Sequence, residues 1–261
     1  MTTSTTTATL ALAGKTALVT GGSNGIGAAI AHAYAAAGAS VVFTYHKASD
    51  SAAQIAAAIA ALGAEVRAVQ ADLAQPGAIE RLWQEALALT GKIDVLVNNA
   101  GTITRSEFLA VTQHELDRVM AVNFYAPWHL SRQLADHLIA REAPGSVLNI
   151  SSVSAHFARS RMPHYQCSKA ALNMLTRSIA YELAPHGIRA NSISAGLTCT
   201  NANRDQWEGQ PALWSERAAG IPLGRPGMPR DHAGLAVFLA SDEASWITGA
   251  DIMVDGGSTV I

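Results

Sequence analysis

Tyr165 and Lys169 are the pair of residues whose types and spacing most directly suggest chemistry. They lie four residues apart at the start of a stretch of helical period, so both side chains project from one helix face, one turn apart. A free phenol titrates at about 10, and lowering that pKa by about three units requires roughly 4 kcal/mol of preferential phenolate stabilisation. A lysine ammonium in a water-poor cleft can supply much of it. The spacing predicts a tyrosine tuned for proton transfer, although an exposed Tyr and an exposed Lys on a surface helix would show the same pattern.

A glycine-rich turn follows the first predicted strand. The strand ends at Thr20, the run Gly21-Gly22-Ser23-Asn24-Gly25-Ile26-Gly27 comes next, and a helical pattern begins directly after it. In such a turn, backbone N–H groups and the positive end of a helix can approach a pyrophosphate, and each glycine removes a side chain that would keep the phosphates away. A P-loop is excluded because no Gly-Lys-Ser/Thr follows. We predict dinucleotide binding by Gly21, Ser23, Asn24, Gly25, Ile26 and Gly27, with a ligand-free glycine turn as the alternative.

The end of the second predicted strand indicates which dinucleotide would bind. About 20 residues beyond the glycines, a carboxylate would hold the ribose 2′-hydroxyl of NAD, but the chain carries Tyr45, His46 and Lys47 there and no acid. A positive group beside an open site suits the 2′-phosphate of NADP better. The sequence therefore favours NADP over NAD. Lys47 could instead be a solvated surface charge, and Asn24 stands where a basic residue would have strengthened the prediction.

Two further strand ends and the helix break at one proline are expected to border the predicted dinucleotide site. The runs Asn98-Asn99-Ala100-Gly101 and Asn149-Ile150-Ser151-Ser152 end two successive predicted strands, and Tyr165 follows the second. Pro127 interrupts a helical pattern four residues after Asn123. Because proline has no N–H, the carbonyl of Asn123 loses its helical partner, and we expect the helix to kink there. The freed carbonyl can bind a water, and a mere kink with solvent at the gap is the alternative.

Short apolar runs that alternate with segments of helical period must position these residues. The predicted strands are Thr16–Thr20, Ser40–Thr44, Glu65–Gln70, Ile93–Val97, Ser146–Ile150, Ile188–Ile193 and Asp251–Val254. Continuous apolar strands separated by helix-length crossovers predict an α/β fold with a single doubly wound parallel sheet and helices on both faces. No linker or repeat divides the chain, so we predict a flexible tail at residues 1–8 and one domain at residues 9–261.

The composition excludes several classes of function. Of 261 residues, 49% are hydrophobic and 15% charged, and the net charge is −2. This balance lacks the basic excess of nucleic-acid binding proteins, and no apolar stretch approaches the roughly 20 residues of a membrane span. Cys167 and Cys199 form neither a disulfide framework nor a metal-ligand cluster, and the histidines show no pattern such as HExxH. We expect a cytoplasmic protein without a metal, and with neither nucleic acid nor a membrane as partner.

From about Ala13 to Gly257 the chain resembles the classical short-chain dehydrogenase/reductase family, whose fold is Rossmann-like. The likeness rests on five motifs in the family's order, which are Thr20-Gly21 through Gly25-Ile26-Gly27, Asn98 through Gly101, Asn123, Ser152, and Tyr165 with Lys169. The resemblance implies that Tyr165 is the general acid or base and that Lys169 binds the nicotinamide ribose and lowers the tyrosine pKa. It implies that Ser152 hydrogen-bonds the substrate oxygen and that the main-chain carbonyl of Asn123 holds a water of the proton relay.

The same resemblance extends to the cofactor and to the assembly. It implies contacts to the adenine or adenosine by Asp72, Leu73, Asn99, Ala100 and Gly101, and to the carboxamide end by Gly196, Thr198 and Thr200. It implies an NAD(P)(H)-dependent oxidoreductase that moves a hydride between nicotinamide and a carbonyl or secondary alcohol. A homotetramer or homodimer, built by helices around residues 115–140 and 165–184, is the expected assembly.

The substrate is expected to be a small polar molecule. A lid predicted at about residues 200–222 is mostly polar with two tryptophans, which favours a hydroxylated or anionic compound, such as a sugar or polyol, over a long acyl chain. His156 and His164 flank the active segment and could touch substrate, or could be ordinary packing residues. The alternatives are a 3-oxoacyl thioester reductase and a dinucleotide-sensing protein without turnover. A pure sensor has no use for a proton donor beside a ribose-binding lysine.

Overall fold

The computed structural model describes residues 10–260, which form seven strands and the helices that flank them. The strands are β1 (Thr16–Val19), β2 (Ser40–Tyr45), β3 (Val66–Gln70), β4 (Val95–Asn98), β5 (Gly145–Ser152), β6 (Ile188–Ala195) and β7 (Asp251–Val254). The α-helices are α1 (Gly25–Ala36), α2 (Ser49–Ala60), α3 (Ala78–Thr90), α4 (Gln113–Met120), α5 (Ala126–Ala140), α6 (Pro163–Leu183), α7 (Arg204–Trp207), α8 (Pro211–Ala219) and α9 (Arg230–Ala240). The tail predicted at residues 1–8 lies outside the described residues.

All seven strands pair in parallel in the order β3-β2-β1-β4-β5-β6-β7. Ala17 of β1 pairs with Val41 on one side and with Val95 on the other. The chain winds outward in one direction from β1 and then in the other from β4, so the crevice for ligands opens between the carboxyl ends of these two strands. The predicted doubly wound parallel sheet is confirmed, with strand ends within a few residues of those expected.

The core consists of two apolar layers, one on each face of the sheet. Leu18 and Leu96 point into a layer with α3, α5 and α6, whereas Val19 and Val97 point into the opposite layer with α1, α2 and α9. This alternation follows from the two-residue period of a strand, and burial on both faces explains why the strands read as continuous apolar runs. The sheet is therefore a rigid platform for the side chains at its carboxyl edge.

The helix predicted to break near Pro127 is interrupted in the structure. It begins with a capping box, in which Glu115 N–H donates to the Thr112 hydroxyl and the Glu115 carboxylate accepts from Thr112 N–H. A π-helical turn, Ala121–Tyr125, separates α4 from α5, and Pro127 is the second residue of α5. Proline cannot supply the N–H of a regular α-helical turn, and π-turns are a recurrent outcome at functional sites. Asn123 lies in the middle of this turn.

None of the helices formed by residues 10–260 is both long and apolar enough to cross a lipid bilayer.

Candidate active site

The glycine turn joins β1 to α1 at the carboxyl edge of the sheet. Gly21 and Gly25 have φ values of +68° and +57°, a left-handed conformation that glycine adopts without a steric penalty. The Gly21 N–H donates to the Thr44 hydroxyl at 2.9 Å, and the Gly22 N–H donates to the Thr44 carbonyl at 2.8 Å. The first N–H groups of α1, from Gly25 onward, have no partner within the helix, and Gly25 and Ile26 line the crevice. This geometry is suited to a phosphate.

Asn99 holds the glycine turn in place from the neighbouring strand. Its side-chain amide donates to the carbonyls of Thr20 at 2.9 Å and of Gly21 at 3.1 Å. A Cβ at Gly27 would collide with this amide and with the Gly21 carbonyl. Gly27 does not line the crevice, and its contact with the cofactor stays a prediction. It is a glycine because α1 packs closely on Asn99.

One large cavity, of about 1370 Å³, lies over the carboxyl ends of the strands. The predicted cofactor and catalytic residues that line it are Gly21, Ser23, Asn24, Gly25, Ile26, Tyr45, His46, Lys47, Asp72, Leu73, Asn99, Ala100, Gly101, Ser152, Tyr165, Lys169, Gly196, Thr198 and Thr200. Gly27 and Asn123 are the two predicted site residues outside this lining. The fold thus brings residues from the two halves of the chain to one concave surface, which is long enough to suit a dinucleotide with a substrate beside it.

The end of the cavity beneath β2 and β3 is formed by Asp72 and two basic side chains. The Asp72 carboxylate lies 3.5 Å from His46 Nε2 and 3.6 Å from Arg118 Nη2. Burial alone would raise the pKa of Asp72, but hydrogen bonds from Ala74 N–H and Gln75, with the charges of Arg118 and His46, outweigh it and hold this pKa below its usual range. The sequence analysis did not identify Arg118, because nothing in its α4 pattern distinguishes it from a surface charge.

Lys169 is buried beneath the centre of the cavity. Its Nζ donates to the Ile150 carbonyl at 2.8 Å and lies 5.9 Å from the centroid of the Tyr165 ring. Burial disfavours the ammonium and lowers the pKa of Lys169 to about 8. The one-turn spacing of the two residues on α6 therefore brings them together as predicted.

The phenol of Tyr165 differs from the expectation in its acidity. Burial raises the pKa of Tyr165, while hydrogen bonding by the Ser152 hydroxyl and the charge of Arg105 lower it by less. Lys169 is not among the groups that lower this pKa in the structure, where its ammonium is desolvated and engaged by the Ile150 carbonyl. The protein without ligands thus has a phenol that is protonated at neutral pH. The sequence analysis did not anticipate Arg105.

Ser151 and Ser152 have different partners. The Ser151 hydroxyl points to the Lys169 carbonyl at 3.5 Å. The Ser152 hydroxyl faces Tyr165 and also accepts the Ser154 N–H at 3.1 Å. Ser152 is therefore the serine that can share a ligand with the phenol.

Asn123 is fully buried behind the cavity. Its side-chain oxygen accepts the Thr102 N–H at 2.8 Å, and its amide donates to the Thr102 carbonyl and to the Ser168 hydroxyl, both at 3.0 Å. Ser168 in turn donates to the Tyr165 carbonyl at 2.7 Å. The side chain therefore ties the π-turn to the loop after β4 and to α6, and only the main chain of Asn123 is left for a water relay.

The two histidines near the active segment hold loops in place and do not line the cavity. His164 is buried, and its Nε2 lies 2.7 Å from the Thr104 hydroxyl. His156 Nε2 lies 2.6 Å from the Asp251 carboxylate, which also accepts from Asn173 at 2.7 Å. Of the two roles considered for these histidines, contact with substrate and packing within the protein, the structure favours packing. Asp251 lies about a hundred residues along the chain, so local spacing could not reveal the pair.

The predicted lid begins with a compact, hydrogen-bonded turn. The Asn203 side chain accepts the Thr200 N–H and donates to the Thr198 carbonyl, both at 2.9 Å, and the Trp207 indole donates to the Thr200 carbonyl at 3.0 Å. Helices α7 and α8 follow, and Gln206, Leu213, Glu216 and Arg217 line the cavity from this side. Within residues 10–260, no cluster of three or more His, Cys, Asp or Glu side chains could hold a metal ion.

Known proteins agree with this geometry along nearly the whole chain. A family model described as enoyl-(acyl carrier protein) reductase matches residues 21–259. The 3beta-hydroxysteroid dehydrogenase 1 of Eggerthella lenta is 37% identical over 249 residues, covering 95% of both chains. An L-rhamnose 1-dehydrogenase (NAD(P)(+)) of Sphingomonas sp. is 38% identical over 249 residues, covering 95% of this chain and 98% of its own. A crystal structure of a short-chain type dehydrogenase/reductase from Mycobacterium marinum superposes with a TM-score of 0.90 at 35% identity, covering 97% and 98% of the two chains. The chain therefore belongs to the short-chain dehydrogenase/reductase family.

Proposed function

We propose that this NAD(P)-dependent oxidoreductase prefers NADP and interconverts a secondary alcohol and a carbonyl on a small sugar-like or polyol-like substrate. The observation that carries the proposal is that Ser152, Tyr165 and Lys169 line the same cavity as the glycine turn. A protein that only bound a dinucleotide would have no need of a phenol and a hydroxyl directed at one point beside the cofactor site.

The chain's residues fit a dinucleotide. The left-handed glycines and the open end of α1 suit the pyrophosphate, and Asp72, Leu73, Asn99, Ala100 and Gly101 would hold the adenosine half. Gly196, Thr198 and Thr200 would meet the carboxamide end. When bound, the nicotinamide supplies the hydride acceptor or donor, and the protein supplies orientation and the proton.

Each catalytic side chain has one task at the substrate oxygen. The Tyr165 phenol gives its proton to a carbonyl oxygen in reduction and takes a proton back in alcohol oxidation. The Ser152 hydroxyl donates to the same oxygen and orients it. Lys169 binds ribose hydroxyls and favours the phenolate once it turns from the Ile150 carbonyl. The Asn123 carbonyl holds a water through which the proton reaches solvent.

The NADP preference rests on the charges beside the ribose site. Tyr45, His46 and Lys47 line the cavity where a carboxylate would be expected for NAD, and Arg118 approaches the same end. The relative from Sphingomonas is named for both NAD and NADP. Kinetics with each cofactor test the preference, and a large preference for NAD would contradict it.

The substrate class rests on the polar lining contributed by the lid, residues 200–222, and on the rhamnose dehydrogenase among the relatives. A panel of sugars, polyols, hydroxy acids and ketones, followed by nicotinamide absorbance with both cofactors, tests it directly. Turnover of sugars or polyols would support the proposal. Turnover confined to apolar ketones or acyl thioesters would contradict the substrate class. Dinucleotide binding without any turnover would contradict the enzymatic function.

We also propose a homotetramer or homodimer in the cytoplasm. Large apolar side chains are exposed on and beside both long helices. They include Tyr125 at the end of the π-turn, Trp128 on α5, and Met174 and Tyr181 on α6. Such surface favours self-association through a two-fold interface. Light scattering after gel filtration tests this assembly, and a monomer at working concentration would contradict it. Both cysteines are free, which suits a reducing compartment.

A further inference from the structure

We infer that the substrate carries an anionic group, a carboxylate or a phosphate, and that Arg105 and Arg159 bind it. Both arginines are exposed to solvent and line the cavity that Ser152 and Tyr165 also line, on the segments that follow β4 and β5. This inference rests on the proposed function and narrows its substrate class.

The cavity is far more basic than the chain. Its ionised lining comprises six lysine or arginine side chains and two carboxylates, in a protein whose net charge is −2. One of those carboxylates, Asp72, is already approached by Arg118 and His46 at the adenosine end. The other, Glu216, is exposed on the lid. The substrate end therefore has a positive charge that the protein itself does not neutralise, and a concave wall concentrates such a field.

Arg105 is presented by a loop that is fastened on both sides. Before it, the Thr104 hydroxyl lies 2.7 Å from His164 Nε2. After it, the Ser106 N–H donates to the Arg161 carbonyl at 3.0 Å and the Ser106 hydroxyl donates to Glu115 at 2.8 Å. His164 directly precedes Tyr165, so the loop is tied to the helical turn that carries the phenol. Its fixed backbone lowers the entropic cost of aiming the side chain.

Arg159 is held from the same helical turn. The Gln166 side-chain amide donates to the Arg159 carbonyl at 2.9 Å, and Gln166 follows Tyr165 in the sequence. Two segments that are distant in sequence thus present one arginine each to the same cavity, and both segments are anchored to residues that flank Tyr165.

Neither guanidinium has a partner among residues 10–260. Neither the Arg105 nor the Arg159 guanidinium makes a hydrogen bond or ion pair with another described residue, whereas nearby Arg118, Arg161 and Arg217 contact Asp72, Glu107 and Gln206 respectively. A planar guanidinium matches a carboxylate or phosphate with two parallel hydrogen bonds. The charge of Arg105 acts on Tyr165, so an anion bound there belongs to the molecule that reacts at the phenol. Because Arg105 is close to Tyr165, its anionic partner is more simply explained as part of a small substrate than as part of a carrier protein bound at the surface.

Two matched pairs of compounds test the inference with the intact enzyme. The first pair is D-gluconate and D-glucitol, which differ by a carboxylate in place of a hydroxymethyl group. The second is D-glucose 6-phosphate and D-glucose. Binding to the enzyme with NADP present is measured by calorimetry, and turnover by nicotinamide absorbance. We expect the anionic member of at least one pair to bind about tenfold to a hundredfold more tightly than its neutral partner. The pair that shows the preference identifies the anion.

Variants locate the binding groups. Arg105→Met should remove most of the preference for the anion in the calorimetric binding constants and should leave the affinity for the neutral compound unchanged, while Arg105→Lys should retain part of the preference. Arg161→Met is the matched control, because Arg161 lies on the neighbouring loop, pairs with Glu107 and does not line the cavity. Thermal melts of each variant verify folding.

The inference is overturned if neither pair shows a preference for the anion, or if Arg105→Met weakens charged and neutral compounds equally. Preferential binding of an anion without turnover of any compound would count against the proposed enzymatic function and leave the inference standing. Turnover of neutral compounds alone, with no preference for anions, would overturn the inference and leave the proposed enzymatic function standing.

Discussion

The Nζ of Lys169 donates a 2.8 Å hydrogen bond to the carbonyl oxygen of Ile150, which lies on β5 two residues before Ser152. This bond satisfies a buried ammonium, and it ties α6 to the strand that carries Ser152. In the role proposed for Lys169, the lysine would exchange this main-chain partner for cofactor hydroxyls on binding. Function at this site therefore has a cost in stability.

Replacing Lys169 by Met should stabilise the protein without cofactor and abolish turnover. The pKa of about 8 in the folded protein lies below the ordinary value of about 10.4, so the desolvation penalty is fully present below pH 8. It fades as the pH rises toward 10.4, because the unfolded chain binds more protons in that window. We expect the free energy of unfolding at pH 7 to rise by about 2 kcal/mol after loss of one hydrogen bond is deducted. Urea unfolding at pH 7 and pH 10 measures it, and a gain that does not shrink with pH would contradict the explanation. Exposed Lys47→Met is the control.

Replacing Tyr165 by Phe should remove turnover and keep cofactor binding. The change deletes only the hydroxyl, and a positioned proton donor contributes about a hundredfold to ten-thousandfold to the rate. Steady-state kinetics and titration with NADPH measure the two properties. Retention of more than a tenth of the activity would show that another group transfers the proton.

The pH dependence of the two reaction directions should differ. Burial raises the pKa of Tyr165, so the phenolate needed for alcohol oxidation is scarce at neutral pH and increases as the pH rises. We expect kcat/KM for oxidation to increase as the pH rises from 7 to 9, while carbonyl reduction stays level over neutral pH. Arg105→Met should move the oxidation profile to higher pH, since the charge of Arg105 lowers this pKa. An oxidation profile that is already level at pH 7 would contradict this prediction, because it would show that the phenol is ionised at neutral pH in the reacting complex.

Reversing the charge of Lys47 should weaken NADP selectively. Lys47→Asp places a carboxylate where the 2′-phosphate is proposed to bind, and we expect KM for NADP to rise about tenfold or more while KM for NAD falls or stays constant. Arg67→Asp on exposed β3, outside the cavity lining, controls for general charge effects. Equal changes for the two cofactors would remove Lys47 from the phosphate site.

Replacing Gly27 by Ala should destabilise the protein through packing. The added methyl group would collide with the Asn99 amide and the Gly21 carbonyl, and overpacking of this kind costs about 1–3 kcal/mol. Gly234→Ala in α9 is the matched control, because its Cβ would meet nothing within 4 Å and alanine is the better helix former. Thermal unfolding should show a lower Tm for the first variant and an equal or higher Tm for the second.

Several features were predictable because they depend on neighbours in sequence. The parallel sheet follows from the alternation of apolar strands with helical segments, and the proximity of Tyr165 to Lys169 follows from one helical turn. The break near Asn123 follows from the missing N–H of Pro127, although its form as a π-turn does not. The last two features have causes that act over four residues. The sheet has a cause that is visible within each element, because a strand buried on both faces consists of a continuous apolar run.

What the amino-acid sequence alone determined is thus the element order, the glycine turn and the reactive side chains. The tertiary structure decided which partners these side chains meet. Folding buried the Tyr165 phenol enough to raise its pKa, packed Gly27 on Asn99, and brought His164 to Thr104. It also left the Arg105 guanidinium without a partner among residues 10–260. Those outcomes depend on desolvation and on contacts between distant segments, which local spacing does not encode.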